Sequence, residues 1–305
     1  SQTNTRNRME CAAEQQDALA RARSLKKEIP RASATKNGQF EGAQWWDEHQ
    51  TLFSQAWKEH GALHPHVYAL SHHNLHPELQ EALSMNQSEA DRSQAIRALL
   101  TEVVDGVYSL PLLSSSFCEE LLQEMDHKET SGVPIRRPNG MNRFGMILED
   151  VGLNELGQQL LQQIIAEIAP LLFPDWIQRS ECEEQYGFMV RYKLGEDLHL
   201  AGHTDTSNVT LNVCLGKEFQ GGDLRFKGVR YTASENTTKT AQVPHRAGYA
   251  LLHLGGHYHE ALPLEGGERI NLIVWALGQH GVVRIRPYTS PATTKYIDSA
   301  NLGQT

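Results

Sequence analysis

The chain is poor in cysteine, poor in long apolar runs and short of positive charge, and each shortage removes a class of protein. Only four cysteines occur in 305 residues, Cys11, Cys118, Cys182 and Cys214, with no CxxC and no paired spacing. Neither a disulfide framework nor a thiolate zinc site is indicated, and a reducing compartment such as the cytoplasm is expected. No apolar run reaches the roughly 18 residues of a membrane span, so no membrane partner is expected. Lys and Arg number 28 against 37 Asp and Glu, a net charge of -9. That balance argues against nucleic acid as a partner, because phosphate neutralisation needs cations in excess. The sequence opens on a polar stretch with no signal-peptide pattern as given, which leaves targeting open.

What is present falls into two textures. The first half reads as helices. A weakly amphipathic helix is predicted over Met9–Lys27, ended by Pro30, followed by a linker over 31–42. Trp45, Trp46, Leu52, Phe53, Ala56 and Trp57 recur at helical spacing and predict a helix over Ala43–His60 that packs on something. Further helices are expected at Pro77–Ser84 and Glu89–Asp105, and after the capping serines 114–116. A strong amphipathic helix is expected over Asn154–Leu172, with Leu156, Leu160, Ile164, Ile168 and Leu171 on one stripe. Val107–Leu110 reads as a strand. A dense histidine tract (His60, His64, His66, His72, His73, His76) has irregular spacing and no carboxylate or cysteine arranged with it, so it reads as polar loop and helix ends.

After Glu184 short β-type runs alternate with glycine turns, at Gly187–Tyr192, Asn208–Leu215, Asp223–Phe226, Ala247–Leu254 and Arg269–Ala276. Gly221-Gly222 reads as a hairpin turn between two of them. Several short strands preceded by helices predict an α+β fold, an antiparallel jelly-roll barrel with helices packed outside. The predicted organisation is a helical or partly disordered extension over 1–75, a catalytic domain over 76–287 and a tail over 288–305.

One constellation carries chemistry. His203-Thr204-Asp205 is followed by His259, fifty-six residues after His203, and then by Arg269. Side chains two apart on an extended segment point the same way, so one strand end presents both His203 and Asp205 to one ion. Two neutral imidazoles and one carboxylate are the ligand set that leaves open positions on Fe(II). His253 and His257 compete for the distal place, and His257 shares parity with His259. His259 is favoured because it enters a new strand after Gly255-Gly256, and because a turn at Gly266-Gly267 would return the chain to Arg269. Arg269 leads the apolar run Ile270-Asn271-Leu272-Ile273-Val274-Trp275, where a buried guanidinium needs a partner. A dicarboxylic co-substrate, one end on the metal and one on Arg269, satisfies both demands; 2-oxoglutarate is that molecule, with O2 as the second reactant. Strict alternation in Val209–Leu215 puts Thr210, Asn212 and Cys214 on one face, making Thr210 and Asn212 candidate co-substrate contacts. Tyr192 ends a strand and offers a phenol to a carboxylate. Arg136, Arg137 and Arg143 flank a loop expected to be basic and solvated.

The stretches Phe188–Tyr192, Gly195-Glu196-Asp197, His203-Thr204-Asp205, Thr210–Lys217, Gly221-Gly222 and Gly267-Glu268-Arg269 together resemble the 2-oxoglutarate and iron-dependent oxygenase domain-containing protein 2 family. Met141–Gly145 and Leu171–Asp175 extend the likeness upstream. Thr210–Val213, Gly248–His253 and His257–Glu260 make the catalytic core similar to procollagen lysyl hydroxylase, within the prolyl 4-hydroxylase type of dioxygenase. The resemblance implies a double-stranded β-helix, with His203, Asp205 and His259 on iron and Arg269 on the far carboxylate of 2-oxoglutarate. It also implies Tyr192 and Asn212 as further co-substrate contacts, and ascorbate as the reductant that keeps iron ferrous. The implied reaction is hydroxylation of a C–H bond, in a protein side chain. Two rival readings stand beside it: an iron oxidase of the same fold that does not use 2-oxoglutarate, and a non-catalytic metal-binding interaction protein.

Overall fold

A computed structural model describes residues 18–30, 42–84, 88–177, 182–230, 232, 234–235 and 237–278. The first half of the expected Met9–Lys27 helix, the 31–41 part of the linker and the tail lie outside the described residues.

Helix α1 spans Ala18–Ser24 and α2 spans Ala43–His60, as the aromatic spacing predicts. Phe53, Ala56 and Trp57 of α2 enter a hydrophobic core that continues without a break to strands at the far end of the chain, so the core is continuous across residue 75. Each large apolar side chain so buried contributes about 1.5–3 kcal/mol. Helix α3 (Pro77–Ser84) stands as expected. Helix α4 (Glu89–Leu99) stops earlier than its predicted end at Asp105. The β-branched Thr101, Val103 and Val104, followed by Asp105-Gly106, form a hairpin instead: β1 (Thr101–Val104) pairs antiparallel with β2 (Val107–Pro111). Helix α5 (Ser115–Thr130) is capped by Ser114, whose hydroxyl accepts from Phe117 N at 3.3 Å. After β3 (Gly145–Ile147) come α6 (Asn154–Leu160), a π turn (Leu161–Ile165) and α7 (Ala166–Leu172). The expected single helix is thus continuous but widened by one π turn, and Leu160, Leu161, Ile164 and Ile165 are all buried there.

The remaining strands are β4 (Glu184–Lys193), β5 (Leu200–His203), β6 (Val209–Gly216), β7 (Phe219–Gly221), β8 (Leu224–Val229), β9 (Ala241–Val243), β10 (Tyr249–Leu254), β11 (His257–Ala261) and β12 (Leu264–Leu277). They form two antiparallel sheets. The larger runs β1-β2-β10-β6-β12-β4-β3, with β7 on β12, and the smaller runs β5-β11-β8-β9. The chain passes back and forth between them, which is the double-stranded β-helix expected. Along β6 and β12 the alternation is physical. Val209, Leu211, Val213, Leu215, Leu272 and Val274 join the helix-side core, while Thr210, Asn212, Arg269, Asn271, Ile273 and Trp275 line the space between the sheets.

Two expected turns take other forms. Gly221-Gly222 makes no hairpin, because β7 pairs with β12 whereas β8 pairs with β11; the bend carries the chain from one sheet to the other. The chain does not reverse at Gly266-Gly267 either. It crosses between sheets at Leu262-Pro263, and Gly267 sits within β12 at φ +77°, where a Cβ would strike the Glu218 carbonyl oxygen. No helix among the described residues is long and apolar enough to cross a membrane.

Candidate metal and co-substrate site

His203 ends β5 and His259 lies on β11, and the two are direct cross-strand partners. Asp205 follows two residues on, its amide anchored to Gly255 O at 2.8 Å. One potential ligand atom from each of His203, Asp205 and His259 lies within 4.8 Å of the others, and among the described residues this is the one cluster able to hold a metal ion. His203 Nε2 stands 3.4 Å from Asp205 Oδ1, and His259 Nε2 stands 3.8 Å from it. Each imidazole turns its Nδ1 to a backbone carbonyl 2.9 Å away, Ala201 for His203 and His257 for His259. Nδ1 therefore carries the proton, and both Nε2 lone pairs face the centre.

Electrostatics keep Asp205 ionised among the imidazoles, and Asp205 in turn raises the His203 pKa against its burial. Burial disfavours ionised Asp205, but the imidazoles of His259, His203 and His253 outweigh it and hold the carboxyl below the usual carboxylate range. Burial pushes His259 down, against the pull of Asp205. Asp205 and His259 are buried, whereas the His203 side chain keeps 17% exposure and marks the open side. His253 and His257 do not join them. Burial presses His253 down to about 3 and His257 down to about 4, and both rings pack edge-on against Phe226.

The same cavity, about 310 Å³, holds the other predicted residues. Arg269 is 1% exposed, its guanidinium 4.5 Å from the Tyr192 ring centroid. Its Nη1 donates to the Gly222 carbonyl and its Nε has no partner among the described residues. Gly222 is needed there, since its φ is +72° and a Cβ would come within 3.0 Å of Arg269 Nη1. Burial lowers the Arg269 pKa, and no described carboxylate pairs with it. An unpaired buried charge costs several kcal/mol, so this end of the cavity is built for an anion. Tyr192 OH accepts from Asn142 Nδ2 at 3.2 Å, and Asn212 Oδ1 accepts from Asn271 Nδ2 at 2.7 Å. Thr210 lines the cavity, but its hydroxyl donates to Asp205 Oδ2 at 2.6 Å and so faces the ligand carboxylate.

Sequence reasoning missed Asn271, whose place two residues after Arg269 on the same strand face would have revealed it. It also missed His245, from an isolated loop, whose Nδ1 lies 3.4 Å from Asn271 Nδ2. The basic loop covers the cavity with Asn139, Gly140, Met141 and Asn142, not with arginines. Arg136 instead binds Asp150 at 2.6 Å, and Arg143 binds Asp197 at 2.8 Å. The histidine tract is dispersed, His60 stacking on His127 and His66 meeting Glu120.

Comparison with known proteins finds relatives over about 70% of the chain. Residues 57–178 match the OGFOD2-like domain family. The chain is 38% identical over 216 residues to the 2-oxoglutarate and iron-dependent oxygenase domain-containing protein 2 of Xenopus tropicalis, covering 70% of this chain and 61% of that one. It is 30% identical over 223 residues to the human multifunctional procollagen lysine hydroxylase and glycosyltransferase LH3, covering 66% of this chain and 28% of that one. The chain thus spans about three-fifths of the frog relative's length. A solved prolyl hydroxylase from Trichoplax adhaerens, in complex with a hypoxia inducible factor oxygen degradation domain peptide fragment, is 16% identical at a TM-score of 0.47, covering 64% of this chain and 95% of that one.

Proposed function

We propose that this chain is an Fe(II)- and 2-oxoglutarate-dependent dioxygenase, coupling oxidative decarboxylation of 2-oxoglutarate to hydroxylation of a C–H bond in a protein side chain. One observation carries the reading: a two-imidazole, one-carboxylate cluster and an unpaired buried guanidinium line the same cavity. The donor set suits Fe(II), because both Nε2 atoms converge on Asp205 Oδ1 and Asp205 stays ionised. Bound iron supplies O2 activation, chemistry the side chains themselves lack.

The remaining work falls to the chain. His203, Asp205 and His259 hold the ion, and Thr210 fixes the orientation of Asp205. Arg269 takes the far carboxylate of 2-oxoglutarate in a charge-assisted contact, stacked on Tyr192, with Asn212 beside it. Phe188, Leu200, Leu224 and Ile273 keep the reacting centre dry. Arg269 favours this reading over an oxidase without 2-oxoglutarate, which has no use for a buried cation there. We take ascorbate as the reductant that maintains ferrous iron, and a reducing compartment as the setting, in keeping with the buried thiols of Cys118 and Cys214.

The test is 2-oxoglutarate-dependent succinate release in the presence of Fe(II) and O2. The wild-type chain is expected to release succinate and Asp205→Ala to lose that activity; an unchanged rate in the variant refutes the assignment.

A further inference from the structure

His245 stands behind the co-substrate end of the cavity, and the fold puts it there. The loop that carries it leaves the smaller sheet at β9 and enters the larger one at β10. Gly248 N–H donates to Cys214 O at 2.9 Å and pins the far end of that loop. Cys214 is the register partner of Asn271, so the loop closes over the part of β12 that bears Arg269 and Asn271. A row of three side chains forms there. Asn271 Nδ2 stands 2.7 Å from Asn212 Oδ1 and 3.4 Å from His245 Nδ1, so its two protons serve one acceptor each. Asn212 commits its carbonyl to Asn271, and its Nδ2 has no acceptor among the described residues. Asn212 lies on the lumen face and keeps 6% exposure, so the N–H end of its amide opens on the cavity. Its place is between the two ends of the site. Thr210, two residues back on the same face, binds Asp205, while Asn271 lies two residues beyond Arg269. A molecule bridging the triad and the guanidinium passes the Asn212 amide.

From this row we infer that His245 is a positioning residue for 2-oxoglutarate. By accepting from Asn271 through Nδ1 it sets the polarity of both amides, so that Asn212 presents N–H, and not C=O, to the co-substrate. An amide has a donor end and an acceptor end of nearly the same shape, and its partners decide which way it faces. A residue at 245 that offers no acceptor frees Asn271 to turn its Oδ1 to Asn212, and Asn212 then points a carbonyl lone pair at an anion. The first arrangement is a charge-assisted contact and the second is repulsive. The inference rests on the oxygenase reading of the same cavity and adds the residue that orients one of its contacts.

The experiment compares the wild-type chain with His245→Phe, which keeps a ring and deletes the acceptor, and with His245→Asn, which returns a carbonyl oxygen near the Nδ1 position. 2-Oxoglutarate is titrated calorimetrically into each full chain loaded with Zn(II). His245→Phe is expected to weaken its affinity about tenfold, and His245→Asn to restore most of it. In Fe(II) succinate assays of His245→Phe the KM for 2-oxoglutarate should rise in step while kcat at saturation stays within about twofold, a split that also verifies folding. In wild-type chain labelled with 15N-asparagine, the Asn212 side-chain amide is assigned by its loss in Asn212→Ala. Its proton resonance should move downfield as 2-oxoglutarate saturates the site, and should stay in place in His245→Phe. Affinity in His245→Phe within about twofold of wild type, no recovery in His245→Asn, or a wild-type Asn212 amide unmoved by saturating 2-oxoglutarate overturns the inference. A wild-type chain that binds no 2-oxoglutarate at all ends the oxygenase reading itself, and this inference with it.

Discussion

Thr210 donates a 2.6 Å hydrogen bond to Asp205 Oδ2, leaving Oδ1 turned toward His203 and His259. The hydroxyl is itself held at 2.8 Å by Ser207 Oγ. A carboxylate restrained in this way keeps one oxygen for the ion and the other for the protein.

Thr210→Val retains the β-branched shape and removes that hydrogen bond. Fe(II) affinity, measured by anaerobic calorimetry, is expected to fall about 10- to 100-fold with little loss of folded protein. Unchanged affinity would mean that the hydroxyl does not orient Asp205.

Arg269→Ala removes the buried cation. The KM for 2-oxoglutarate is expected to rise about 10- to 100-fold, the range for losing one charge-assisted contact. Arg269→Lys should recover little of it, since a point charge does not reproduce the planar fork stacked on Tyr192. A KM within twofold of wild type in Arg269→Ala, from succinate assays, would place the co-substrate elsewhere.

His245 gives a pH dependence. Burial first, and Arg269 second, hold it well below its ordinary 6.5. The unfolded chain therefore takes up this proton before the folded chain does as pH falls. The stability linked to a neutral His245 is complete above about 6.5 and is lost progressively below it, at up to about 1.4 kcal/mol per pH unit for one proton. Chemical denaturation from about pH 7.5 to about pH 5.5 should show the wild-type chain losing stability relative to His245→Gln. A gap between the two that stays constant with pH would contradict the assignment.

The sequence carried the site better than it carried the turns. His203 and Asp205 were legible because extended chain places alternate side chains together, and Arg269 because a charge at the head of an apolar strand demands a partner. Thr210 and Asn212 were placed on the lumen face by strict alternation, but not the atom Thr210 would meet, since that depends on how the loop from Asp205 folds back. Helix α4 ends before Asp105 because the β-branched run ahead of Asp105-Gly106 gains a pairing partner in β2, which helical periodicity does not reveal. The turns expected at Gly221-Gly222 and Gly266-Gly267 take other forms because turn residues reveal that the chain bends, not which sheet receives the next strand. His245 left no trace, because an isolated loop histidine has no period to place it beside Asn271.

Anaerobic titration of 2-oxoglutarate into the Fe(II)-loaded chain tests the central claim most directly. A weak visible charge-transfer band is expected to grow to saturation in the wild-type chain and to be missing in His259→Ala. A wild-type chain that binds Fe(II) yet develops no band on adding 2-oxoglutarate would contradict the account.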